Sequence, residues 1–156
     1  MGLIRVVSGT ASAPTPMASY DAALAAAGVH NYNLVTVSSV IPANARVERV
    51  GVAPDLGPPG ERLTVVEGRA TVETGRAVAG LAWARAPDGP GLFYEASGSD
   101  EAAVESRLDE GLEAGKALRD WPFEDEGREL VAAEAADTGY TTALALAVYG
   151  ESTPLL

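Results

Sequence analysis

Short β-branched runs separated by glycine- and proline-rich breaks dominate the chain, and only two stretches carry a helical pattern. Ile4-Arg-Val-Val7, ended by Ser8-Gly9, predicts a first strand. Thr10 to Pro16 predicts a loop, because Pro14 and Pro16 exclude helix until Met17. From Met17 to Ala27 the alanines and Leu24 favour helix, and Gly28 supplies the stop. Met17, Asp21, Leu24 and Gly28 share one stripe of that helix, which sets a carboxylate along its apolar side. Arg46 to Val50 alternates like a strand with one wet face, and Ala53 to Gly60 is the clearest loop. Leu63 to Val66 and Ala70 to Thr74 are strand material around Gly68, and Val78 to Arg85 is another strand. It predicts a hairpin with Gly91-Leu-Phe-Tyr-Glu95 through the turn Ala86-Pro-Asp-Gly-Pro90. Ser99 reads as the N-cap of a helix running to about Leu118, with Val104, Leu108, Leu112 and Leu118 as its apolar stripe. Trp121 to Gly127 reads as an acidic turn. Glu129 to Ala135 and Thr141 to Tyr149 are two final strands, most simply an antiparallel pair around Asp137-Thr-Gly139. Strands outnumber helices, so the predicted class is α+β with mainly antiparallel sheet.

The 156 residues suit one domain large enough to bury a core. No apolar run approaches the roughly 20 residues of a spanning helix, so no membrane contact is expected. The first residues, Met-Gly-Leu-Ile-Arg-Val-Val-Ser, lack a secretory pattern, which makes a cytoplasmic location the expectation. Without cysteine there is neither a thiolate nucleophile nor a zinc–thiolate site, and no metal centre is predicted. A net charge of −11, with Lys116 the only lysine, argues against nucleic acid as a partner. That acidity suits a protein kept soluble in concentrated salt, and equally an acidic surface encoded by a GC-rich genome. It also raises the local concentration of a cationic substrate, although salt screens the effect.

The run Gly28-Val-His-Asn-Tyr-Asn-Leu-Val-Thr-Val-Ser-Ser-Val-Ile-Pro-Ala43 departs from strand chemistry by placing Ser38-Ser39 between valines. As a continuous strand it sets Val35, Val37, Ser39 and Ile41 on one face, and Leu34, Thr36, Ser38 and Val40 on the other. A hydroxyl buried on either face needs a partner or costs about 1–3 kcal/mol. Neighbouring backbone can satisfy both hydroxyls, and that structural reading stands beside a chemical one.

The segment Asn-Tyr-Asn-Leu-Val-Thr-Val-Ser-Ser-Val-Ile-Pro resembles the self-cleavage segment of the pyruvoyl-dependent arginine decarboxylases. Tyr20-Asp21-Ala-Ala-Leu24 upstream and the strand ending in Glu95 downstream extend the resemblance, which covers about Ile4 to Leu118. It implies a four-layer α/β/β/α sandwich, with two sheets face to face and helices outside. It also implies that the single domain 1–156 cuts itself between Ser38 and Ser39 into chains 1–38 and 39–156, Ser39 becoming a covalent pyruvoyl cofactor. That group is needed because decarboxylating an amino acid leaves negative charge on the α-carbon, and no side chain is an electron sink for it; a ketone condensed with the substrate amine is one.

The resemblance further implies that Glu95 returns a proton to the decarboxylated carbon. That role calls for a desolvated setting beside Phe93. It places Asn33 in the active site and Asp21 against the substrate guanidinium, which a carboxylate binds through two parallel hydrogen bonds. Without it, Glu95 reads as a solvated strand-end residue, Asn33 as a turn residue and Asp21 as a surface aspartate. His30, the only histidine, reads as a structural or surface residue rather than a catalytic one, and Tyr32 and Trp83 as packing residues. An unbroken strand would hold Asn33 roughly 20 Å from Ser39. Either the chain bends between them, or the site lies between subunits, as in the ring-shaped trimers of the resembled family, single or paired.

The implied activity is conversion of L-arginine to agmatine and CO2 in polyamine synthesis. The same machinery with another amino acid, an uncleaved non-catalytic homologue, and a self-cleaving hydrolase with a free N-terminal serine are the alternatives.

Overall fold

Small and β-branched residues build two sheets and set how closely the layers approach. The structure, a computed structural model, describes residues 2–156. In chain order the elements are β1 (Leu3–Ala13), α1 (Pro16–Ala27), β2 (Asn33–Thr36), β3 (Val40–Ile41), β4 (Arg46–Gly51), β5 (Arg62–Val72), β6 (Arg76–Arg85), β7 (Gly91–Gly98), α2 (Glu101–Ala117), β8 (Asp125–Glu134) and β9 (Tyr140–Tyr149). A five-stranded sheet has the order β2-β5-β9-β1-β4, and a four-stranded sheet the order β3-β7-β6-β8. Among the described residues only β1–β4 and β2–β5 are parallel pairs. The predicted α+β class and layer order are what the structure has.

Ile4, Val6, Val66, Leu81, Phe93, Ala145 and Ala147 fill the space between the sheets. On the outer face of the five-stranded sheet, Val7, Leu63, Val65, Leu144 and Leu146 pack with Ala23, Leu24 and Ala27 of α1. Here Gly9 is required, because a Cβ would stand 2.3 Å from the Ala23 carbonyl oxygen. On the other outer face, Val104, Leu108 and Leu112 of α2 cover Val78, Ala82 and Leu92. The ring of Tyr94 lies over Gly115 of α2, where a Cβ would approach it to 2.5 Å.

The hairpin of β6 and β7 forms in the predicted place, Val78 opposite Gly98 and Arg85 opposite Gly91. Five local expectations are corrected. β1 runs on to Ala13, because Thr10, Ala11 and Ser12 pair with Ala143, Thr142 and Thr141 of β9, so the predicted loop shrinks to the residues before Thr15, which caps α1. Asp100 rather than Ser99 caps α2, accepting from the Ala103 amide at 2.9 Å. The stripe of α2 ends in Gly115, since Leu118 lies beyond the helix and is 81% exposed. The buried side of α1 is Ser19, Ala23, Leu24 and Ala27, leaving Met17 and Asp21 exposed. Finally, β8 begins inside the predicted acidic turn and does not pair with β9: β8 lies against β6, and β9 between β1 and β5. Their connection crosses between sheets, a choice that local pattern does not encode. No described helix is long and apolar enough to cross a membrane.

Candidate active site

The predicted single strand around the two serines is broken. β2 ends at Thr36 as the parallel neighbour of β5, and β3 begins at Val40 as the antiparallel neighbour of β7. Val37-Ser38-Ser39 is therefore the link that carries the chain from one sheet to the other, so the two-face pattern expected of a continuous strand does not apply. Ser38 is exposed and Ser39 half-buried. Ser39 has φ 69°, in the left-handed region, which costs a non-glycine residue about 1–2 kcal/mol. Its geometry is imposed from outside. The Phe93 amide donates to the Ser39 carbonyl at 2.8 Å, and the Tyr149 hydroxyl donates to the Val40 carbonyl at 2.9 Å. The Phe93 ring is buried against Trp83 and Tyr149, with centroids 5.8 and 6.2 Å away.

Glu95, two residues along β7 from Phe93, brings its Oε2 to 3.5 Å from the Ser39 hydroxyl, a long contact. Space beneath Glu95 comes from Gly68 on the facing sheet: a Cβ there would lie 2.9 Å from the Gly80 carbonyl oxygen and 3.4 Å from the Glu95 Cβ. Glu95 is exposed. The desolvated setting expected for it is thus not supplied within one chain, because it sits at the open rim of the inter-sheet layer. Ser38, Ser39, Val40, Leu92, Phe93, Tyr94, Glu95 and Arg119 line a cavity of about 220 Å³. Phe93 was expected beside Glu95, but Arg119 and Tyr149 were not legible as site residues, since each is brought in by pairing or packing far along the chain.

Asp21 and Asn33 are elsewhere. Asp21 lines a separate concavity on the α1 side with Met17, Tyr20, Leu24, His30 and Tyr32. Asn33 begins β2, and its side-chain amide donates to the Gly60 carbonyl at 2.7 Å, the loop-fastening contact of a turn residue. Tyr32 does similar work, donating to the Gly57 carbonyl and accepting from the Leu56 amide, both at 3.1 Å. Beside Asp21, the Tyr20 hydroxyl donates to Glu67 at 2.7 Å, under the Arg69 guanidinium 4.2 Å above its ring. Burial first, and then the Glu67 carboxylate, push this phenol up to about 12. The Tyr149 phenol is also raised, by burial alone.

The fold and this junction define a class: a two-sheet sandwich in which a serine pair links the sheets and the second serine faces a glutamate. Comparison with known proteins narrows it. Residues 3–154 match the family described as pyruvoyl-dependent arginine decarboxylase (PvlArgDC). Proteins named pyruvoyl-dependent arginine decarboxylase from two strains of Halobacterium salinarum are 50% identical over 161 residues, covering 99% of this chain and 98% of theirs. One of the same name from Methanopyrus kandleri is 35% identical over 103 residues, 66% of this chain and 65% of its own. The chain belongs to the pyruvoyl-dependent arginine decarboxylase family of carbon–carbon lyases, and membership implies a covalent pyruvoyl group.

The residues present fit such a group. Ser39 has a serine carbonyl immediately before it, a hydroxyl turned toward Glu95 and its own carbonyl fixed by Phe93.

Proposed function

We propose that this protein cuts itself between Ser38 and Ser39 and then decarboxylates L-arginine to agmatine and CO2. The observation that carries the reading is the strained Ser38–Ser39 link held between the sheets beside Glu95. The Ser39 hydroxyl attacks the Ser38 carbonyl, exchanging the amide for an ester and moving the hydroxyl proton to the freed amine. Elimination then releases the Ser38 carboxylate and leaves a dehydroalanine, and water replaces its nitrogen, which departs as ammonia. Left-handed backbone at Ser39 is relieved when the bond breaks, so ground-state strain favours cleavage.

The small chain stays in place after cutting. Its β1 pairs along ten residues with β9, from Ile4–Tyr149 to Ala13–Tyr140, while its β2 pairs with β5. When present, the pyruvoyl group supplies a ketone that takes the substrate amine and accepts electrons as CO2 leaves. The remaining work falls to the chain's own residues. Phe93 holds the carbonyl of residue 39 in one orientation through its backbone amide, and Glu95, whose carboxylate lies 3.5 Å from the Ser39 hydroxyl, would serve as the proton donor.

Asp21 binds the guanidinium and Asn33 orients substrate, but across a boundary between chains. Two observations support this: neither residue lines the Ser39 cavity, and at about 220 Å³ that cavity is smaller than the roughly 300–1,000 Å³ of typical ligand pockets. A cyclic trimer, single or doubled, gives one complete site per boundary.

Intact mass of the purified protein tests the first step. Two fragments, 1–38 and 39–156, are expected, the larger lighter than a serine-headed chain by the loss of ammonia. An uncut chain fully active on arginine would overturn the reading. Agmatine formation, compared with turnover of ornithine, lysine and histidine, tests the second.

A further inference from the structure

The cavity beside Ser39 carries two charged side chains, Glu95 and Arg119. Arg119 follows α2, and its guanidinium is held on one side. One guanidinium nitrogen donates to the Gly115 carbonyl at 2.8 Å, and the group lies 5.4 Å from the Trp121 ring centroid, within cation–π range. These contacts leave its other donors free. Arg46, Arg49, Arg69, Arg76, Arg85 and Arg128 each pair with a carboxylate, whereas among the described residues Arg5, Arg62, Arg107 and Arg119 pair with none, and of these four only Arg119 lines the Ser39 cavity. In a chain of net charge −11, an arginine held in place without an anion beside the proposed reacting residue is set to receive one from outside.

We propose that Arg119 receives the α-carboxylate of the amino-acid substrate and thereby sets its direction in the cavity. This rests on the function proposed above. L-Arginine brings one anion and one side-chain cation to a cavity holding one of each. Its guanidinium is repelled by Arg119, so the substrate enters with the carboxylate toward Arg119, the amine toward residue 39 and the side chain pointing outward. That direction sends the substrate guanidinium away from Glu95 and toward whatever carboxylate closes the open side. The contact ends with the reaction, because CO2 carries the carboxyl group away and agmatine retains nothing for Arg119 to hold. Arg119 thus favours substrate over product without touching the proton transfer.

The test uses the purified, self-processed protein and the variants Arg119→Gln and Arg119→Lys. Loss of one charge-assisted contact predicts a KM for L-arginine raised about tenfold in Arg119→Gln. Inhibition by agmatine, which lacks the carboxylate, should stay within about twofold of wild type, since the same relation allots it no lost contact. Arg119→Lys should recover part of the loss, a point charge replacing a planar fork. An unchanged KM overturns the proposal, as does an equal weakening of arginine and agmatine, which would make Arg119 a support for cavity shape. So does finding both variants uncut, which would place Arg119 in backbone cleavage. A wild-type protein inactive on arginine would sink the proposed function instead; an active one indifferent to Arg119→Gln sinks this inference alone.

Discussion

The cavity at Ser39 and the concavity at Asp21 differ in how they are built. Around Ser39, groups from β3, β7, β9 and the segment after α2 converge on one peptide link, and two backbone carbonyls are held by donors distant in sequence. Around Asp21, the residues come from one helix and the segment that follows it, and the aspartate is exposed. The first region can therefore shape a covalent event inside a single chain. The second offers a charge but no enclosure, and needs another surface to become a binding site. The proposed self-processing and the proposed substrate choice thus place different demands on the fold: one needs a strained link clamped from several sides, the other an accessible carboxylate.

Substitutions can break that contrast, and the largest effect is expected at Ser39. Ser39→Ala removes the attacking hydroxyl, so the chain should run as one uncut species by mass with no agmatine formed. Glu95→Gln should cut normally yet lose roughly 10²–10⁴ in kcat, the usual share of a general acid. A variant that stays uncut would move Glu95 into the cleavage step. Asp21→Asn should cut normally and raise KM for arginine about 10- to 100-fold, as expected for losing a charged hydrogen bond of about 1.5–3 kcal/mol. Mixing Ser39→Ala with Asp21→Asn chains during refolding sharpens the point. A site shared between chains predicts more activity than the two variants give apart, whereas a site within one chain predicts only their sum.

Tyr149→Phe removes the donor to the Val40 carbonyl and should lower stability by about 0.5–1.5 kcal/mol while slowing cleavage, read by thermal melting and by the time course of fragment appearance. The smallest effect belongs to the Asp21 side. Because the folded Tyr20 phenol sits near 12 against an unfolded value near 10, its contribution to stability is fully present below about pH 10 and is lost as pH rises toward 12. Tyr20→Phe should flatten that alkaline limb of the melting temperature and leave cleavage unchanged.

Much of this was legible in the residues. The Ala86–Pro90 turn marked the β6–β7 hairpin because its chemistry is local, and Val104, Leu108 and Leu112 marked the buried side of α2 because helical spacing is local too. Ser38, Ser39 and Glu95 could be named only through the resemblance of the serine segment to a known family, and the structure brings Ser39 and Glu95 together. The Thr10–Ser12 part of β1 was hidden, because it is polar and becomes strand only through its ladder with β9. The exposure of Glu95 agrees with its plain reading as a strand-end residue and departs from the desolvated setting that the family role called for, since burial depends on what stands opposite a strand end.

Taken alone, the sequence determined which segments extend, which coil, where a hairpin turns and where an unusual hydroxyl pair sits, all properties of neighbours within a few residues. Tertiary structure alone decided that β2 and β3 part company into different sheets, that β8 and β9 do the same, and that Arg119 arrives beside Ser39. The reason is that a strand's pattern records how much of it prefers burial but not which partner will supply its hydrogen bonds. That partner is chosen by the packing of the whole chain.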